Sequence, residues 1–113
     1  MHELSIVMNI IQIAEQQAKA ANATLIDEIE LDIGTMSGID MESIDFAWKQ
    51  AVKQTMLQNA VRKVNCIDAR AKCLNCNAEF AIKNYYDACP VCGAHLLDIL
   101  QGTELRVKSV TVS

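Results

Sequence analysis

The chain holds 113 residues, 51% of them hydrophobic, and carries a formal net charge of −4. That length fits one globular unit with a small appendage. The acidic balance argues against a nucleic-acid ligand, whose phosphates need a basic face, and 4% aromatic content leaves few rings for base stacking.

In chain order, residues 4–21 read as a helix. Leu4, Val7, Met8, Ile11, Ala14 and Ala18 fall at three- and four-residue steps, and Ile6, Ile10 and Ile13 widen the apolar stripe. Asn22 stands where a left-handed helix cap belongs. These first residues include Glu3, Glu15 and several glutamines and no basic leader, so neither a signal peptide nor a membrane span is expected. The expected location is cytoplasmic.

Residues 25–33 alternate as a half-buried strand, with Ile29, Leu31 and Ile33 on one side and Glu28, Glu30 and Asp32 on the open side. A second helix is predicted over 41–57, burying Ile44, Ala47, Trp48, Ala51, Val52 and Met56. Asp40 precedes it as an N-cap, with Glu42 in the electropositive first turn. Capping accounts for Asp40 better than a role as a further metal ligand. Residues 60–72 are extended but irregular, consistent with a bulge, and Cys66 reads as a small apolar core residue. After Gly102, the valine-rich end forms a last strand.

Between those strands lies the strongest signal. Cys73-Leu-Asn-Cys76 and Cys89-Pro-Val-Cys92 are two Cys-x-x-Cys pairs across a short loop. Four thiolates so spaced suit tetrahedral zinc and leave no open position for a substrate. Two disulfides are the competing reading, but four of the five cysteines crowd one short window, unlike a secreted disulfide scaffold. Within the loop, 78–86 is expected to form a hairpin, with Phe80, Ile82 and a tyrosine packing beneath the metal. His95, close after Cys92, could reach a metal or stand as a surface residue, and it is left out of the ligand set.

The expected fold is therefore α+β: a three-stranded sheet with two helices on one face, plus an inserted zinc-ribbon-like subdomain. Residues 1–72 with 102–113 form the α/β domain, and 73–101 the zinc-binding subdomain.

A second metal site is suggested by Met1-His2-Glu3. The α-amine, the backbone nitrogens of His2 and Glu3, and one imidazole nitrogen of His2 give four nitrogens in a plane. That set suits Ni(II) or Cu(II), not tetrahedral zinc. Binding expels protons from these groups, so affinity should rise with pH.

The opening Met-His-Glu-Leu-Ser-Ile, the strand Ile-Glu-Leu-Asp-Ile-Gly, the acid-capped helix and the Cys73/Cys76/Cys89/Cys92 knuckles together resemble the HypA family of hydrogenase nickel incorporation proteins. The resemblance spans the whole chain. It implies a nickel metallochaperone and not an enzyme. His2 would be the nickel ligand, with Met1 and Glu3 contributing, and the four cysteines would hold structural zinc. The implied partners are a HypB-type GTPase and the hydrogenase large subunit, with urease maturation proteins for some members. Neither nucleic acid nor membrane is implied, and a monomer or weak dimer is expected. Two alternatives are a zinc-ribbon protein-interaction module and a rubredoxin-like iron electron carrier. The second is suggested by Cys-Pro-Val-Cys-Gly, but the first knuckle has Asn77 where that motif needs glycine.

Overall fold

The computed structural model describes residues 3–113. Its elements are α1 (Glu3–Ala20), β1 (Ile26–Gly34), α2 (Met41–Ala51), β2 (Val61–Ile67), β3 (Arg70–Cys73), β4 (Glu79–Ala81), β5 (Leu97–Gln101) and β6 (Leu105–Val112). They form two three-stranded sheets, ordered β2-β1-β6 and β4-β3-β5. The chain divides into two compact units, one of residues 1–32, 39–65 and 106–113, the other of residues 33–38 and 66–105.

In the first unit, α1 packs against α2 and buries Ile6, Val7, Ile10, Ile11, Ala14 and Ala18. This face is rotated from the one expected: Leu4 and Met8 are 50% and 58% exposed. The helix is apolar around most of its circumference, so spacing alone could not choose the buried side. Its end closes as expected. Asn22 adopts φ 58°, Ala23 N–H donates to the Ala18 carbonyl at 2.9 Å, and Asn22 N–H donates to that of Lys19 at 3.0 Å. These are the paired bonds of a Schellman cap.

Helix α2 starts where the sequence places it. Asp40 accepts from the Glu42 N–H at 3.1 Å and the Ser43 hydroxyl at 2.9 Å. It ends earlier than expected, at Ala51. Gln54 turns left-handed at φ 63°, and the Thr55 hydroxyl donates to the Val52 carbonyl at 2.7 Å. That side chain competes with the helix for the carbonyl. The turn still buries Val52 and Leu57.

Along β1 the alternation holds: Ile29, Leu31 and Ile33 are buried. The acidic side is not simply open, because both neighbouring strands bring partners to it. On the β2 side, Lys63 reaches Glu28 at 2.8 Å, and the Asn65 amide donates to Glu30 and Asp32 at 2.7 and 3.0 Å. On the β6 side, Arg106 meets Asp32 at 2.9 Å and Lys108 meets Glu30 at 3.5 Å. Contacts with β2 advance in step with β1 and those with β6 run against it, so the sheet is mixed, parallel to β2 and antiparallel to β6. Arg62 of β2 lies over the Trp48 ring, 5.4 Å from its centroid, and pairs with Asp45. Cys66, expected in the core, is exposed.

In the second unit, β3 is the central strand and pairs antiparallel with both β4 and β5. The irregularity read at 60–72 is real. The extended run is interrupted at residues 68–69, between β2 and β3, and the β3–β5 register shifts between Arg70 and Ala71. Ala69, Ala71 and Ile82 form a small core, packed by Met36, Phe80, Leu97 and Ile99. Residues 79–81 pair with β3 and not with the segment that follows them, so the expected hairpin within 78–86 does not form. Tyr85 and Tyr86, one of which was expected beneath the metal, are 62% and 76% exposed.

Two glycines allow the backbone to close tightly beside this sheet. A Cβ on Gly34 would lie 2.0 Å from the Gly102 carbonyl oxygen, and one on Gly102 would lie 2.4 Å from Ala69. The Gly102 carbonyl instead accepts from the Met36 N–H at 2.7 Å.

Candidate metal centre

The two Cys-x-x-Cys segments fold as copies of one turn. In the first, Cys73 N–H donates to the Ala78 carbonyl and Asn77 N–H to the Cys73 carbonyl, both at 2.8 Å. In the second, Cys89 N–H donates to the Ala94 carbonyl and Gly93 N–H to the Cys89 carbonyl, again at 2.8 Å. Each turn needs one left-handed residue, supplied by Asn77 at φ 64° and Gly93 at φ 77°. Asparagine tolerates that region better than any other non-glycine residue. The missing glycine noted in the sequence is thus replaced and the turn is intact. The repeated Cys-x-x-Cys-Asn/Gly-Ala was the readable sign of it.

The four sulfurs converge. Cys73 Sγ lies 3.6 Å from Cys92 Sγ, and Cys76 Sγ lies 3.6 Å from Cys89 Sγ. All four ligand atoms fall within 4.8 Å of one another. A zinc ion with bonds of about 2.3 Å requires sulfur–sulfur edges of about 3.8 Å, so the spacing fits a tetrahedral ion. It is far outside disulfide length, and all five cysteines are free. Cys73 and Cys89 are buried, while Cys76 and Cys92 lie at the surface. Each knuckle therefore offers one inner and one outer sulfur.

The surroundings favour thiolates unequally. Cys92 is lowered to about 6, first by the Ala94 N–H and next by the Asn75 side chain. Asn75 Nδ2 lies 3.6 Å from the Cys92 sulfur. At Cys89, burial opposes ionisation, but the N–H groups of Cys92 and Val91 outweigh it and the thiol is lowered. The Val91 N–H lies 3.4 Å from that sulfur. Cys76 behaves oppositely. The Ala78 N–H favours its thiolate, yet burial and the crowding of the other three sulfurs push it up to about 12. Several negative sulfurs so close together call for a cation among them.

Among the described residues, none of the other sequence candidates joins this cluster. Met1 and His2 fall outside the described residues. Glu3 begins α1, half-buried. Both Asp40 carboxylate oxygens are engaged in the α2 cap. His95 Nδ1 lies 3.2 Å from the Tyr86 carbonyl oxygen, to which it can donate. Among the described residues, the four cysteines are the one group of His, Cys, Asp and Glu side chains gathered closely enough for a metal ion. Sequence reasoning missed Asn75, because nothing in the spacing shows that its amide faces the opposite knuckle.

Comparison with known proteins extends over the whole chain. The family model described as "Hydrogenase/urease nickel incorporation, metallochaperone, hypA" matches residues 1–112. A hydrogenase maturation factor HypA from Azotobacter vinelandii is 41% identical over 112 residues, covering 99% of each protein. One from Parabacteroides distasonis is 38% identical, covering 99% of this chain and 97% of that protein. The solution structure of the Ni metallochaperone HypA from Helicobacter pylori superimposes with a TM-score of 0.71 at 25% identity, covering 99% of this chain and 97% of the other.

Proposed function

The chain belongs to the HypA family of nickel-incorporation metallochaperones, and from that premise we propose that its first three residues carry Ni(II) during [NiFe]-hydrogenase maturation. The observation that carries this reading is the match of the family over residues 1–112, which takes in both the terminal residues and the cysteine knuckles.

Nickel is cargo here. Met1 would supply its α-amine, His2 an imidazole nitrogen and its amide, and Glu3 its amide, in the square-planar arrangement that Ni(II) favours. Glu3 is the first residue of α1. The first four N–H groups of a helix have no partner within it, so ligation by the Glu3 amide costs α1 no hydrogen bond. A helix start is also where local opening is easiest, which gives a receiving protein a route to remove the ion.

Cys73, Cys76, Cys89 and Cys92 would hold zinc, and their geometry fits it. Bound there, zinc would supply the crosslink that holds the two knuckles, beside a core too small to stabilise them alone. Four sulfur ligands close the coordination sphere, which suits a structural and not a catalytic role.

The family's role implies maturation partners. We assign these as a HypB-type GTPase and the hydrogenase large subunit, with urease maturation proteins as further recipients, and the protein as a cytoplasmic carrier without catalysis of its own. No helix among the described residues is long and apolar enough to cross a membrane. The rubredoxin-like and plain zinc-ribbon readings leave the α/β unit without a purpose and are not favoured.

The test is a Ni(II) titration of the untagged chain, a His2→Ala variant and a version extended before Met1. Stoichiometric uptake is expected in the first alone, with zinc and helix content kept in all three. Equal nickel uptake by the His2→Ala variant would overturn the terminal site.

A further inference from the structure

The two knuckles share a backbone, but their side chains break the symmetry at one place. Counting from the first cysteine of each, Asn75 occupies the position that Val91 occupies in the second knuckle. Asn75 carries a side-chain N–H and reaches across to the other knuckle's outer sulfur, with Nδ2 3.6 Å from Cys92 Sγ. Val91 has no side-chain donor to return the contact. Among the described residues, Cys76 Sγ therefore receives no side-chain N–H.

We propose that Asn75 is a latch between the knuckles: its amide shields Cys92 and leaves Cys76 as the outer thiolate that departs first when the cage opens. This rests on zinc occupying the four-cysteine site. An N–H···S bond draws charge from the sulfur and makes it a weaker nucleophile, and partners beyond the ligands shift metal affinity by about ten- to a hundredfold. Thiolate reactivity toward electrophiles follows both the charge on the sulfur and its exposure. Cys76 and Cys92 are both exposed, so exposure does not separate them and the amide contact does.

The experiment treats the full zinc-loaded chain with limiting iodoacetamide, in which the thiolate sulfur forms a bond to carbon and iodide leaves. Peptide mass spectrometry then gives the labelling rates at Cys76 and Cys92. In the unmodified chain Cys76 is labelled first. Asn75→Leu and Asn75→Ala raise the Cys92 rate several-fold with little change at Cys76, and speed zinc transfer to a competing chelator by roughly tenfold. Val91→Asn, which offers the missing amide to the first knuckle, slows Cys76. A Cys76-to-Cys92 ratio unmoved by both Asn75 variants overturns the latch. Loss of zinc by both variants, with the unmodified chain holding it stoichiometrically, supports it, because among the described residues the amide's side-chain hydrogen bond is to Cys92. Elemental analysis of the unmodified chain keeps the two ideas apart: if that chain takes up no zinc, the zinc reading fails and the latch falls with it.

Discussion

Asn77 and Gly93 hold the same left-handed place in the two knuckles, at φ 64° and 77°, and each donates its N–H to the first cysteine carbonyl of its own turn at 2.8 Å. The Cys-x-x-Cys turn thus depends on backbone handedness, and a side chain able to adopt it substitutes for glycine. Asn77→Gly should therefore be neutral or mildly stabilising. Gly93→Ala should cost about 1 kcal/mol, and all of it in the backbone, because nothing lies within 4 Å of the Cβ it would add. Thermal denaturation of the zinc-loaded protein checks both, and Gly93→Ala with unchanged stability would contradict this account.

Cys73 is completely buried and joins the cage to the central strand β3. Cys73→Ala should lose zinc and loosen residues 73–101, while α1 and α2 persist. Far-UV circular dichroism with amide hydrogen exchange measures this. Helical signal lost together with zinc would show that the helices depend on the metal.

Asp40 separates capping from metal binding. Its two oxygens accept from the Glu42 N–H and the Ser43 hydroxyl, so Asp40→Ala should destabilise the protein by about 1 kcal/mol with nickel uptake unchanged. Asp40→Ser, which keeps a cap acceptor, should recover most of that stability. Weaker nickel binding in Asp40→Ser would instead make the carboxylate a ligand.

Asp32 is 4% exposed. Its carboxyl is held below its ordinary value first by the Asn65 amide and then by Arg106. A carboxylate depressed in the folded state contributes stability that is fully present above its ordinary, unfolded value and is lost as pH falls through the lower folded one. Acid should therefore weaken the protein progressively below about pH 4. Asn65→Leu should lower stability at neutral pH and shrink this acid loss, because it lets the folded value rise toward the unfolded one. Melting temperatures between neutral and acidic pH test it, and superimposable profiles for the two proteins would remove Asn65 from the explanation.

What could be read in the sequence was what neighbouring residues decide among themselves. Asn22 and Asp40 announced the end of α1 and the start of α2, because a cap is made by residues two to five positions apart. The alternation of β1 marked its buried side, and the cysteine spacing marked a tetrahedral site. The choice of buried face on α1 could not be read, since a helix with so wide an apolar stripe takes its orientation from what it packs against. Nor could the early end of α2, set by a left-handed Gln54 and the Thr55 hydroxyl.

The chain by itself thus determined the four-cysteine cluster that could hold a metal, the two helices and the strands of the main sheet, all encoded by local spacing and periodicity. Tertiary structure alone decided that β3 centres a second sheet, that Asn65 and Arg106 meet at Asp32, and that Asn75 faces Cys92. Those pairings join residues far apart in sequence, and they exist only once packing and strand register have closed the loops between them.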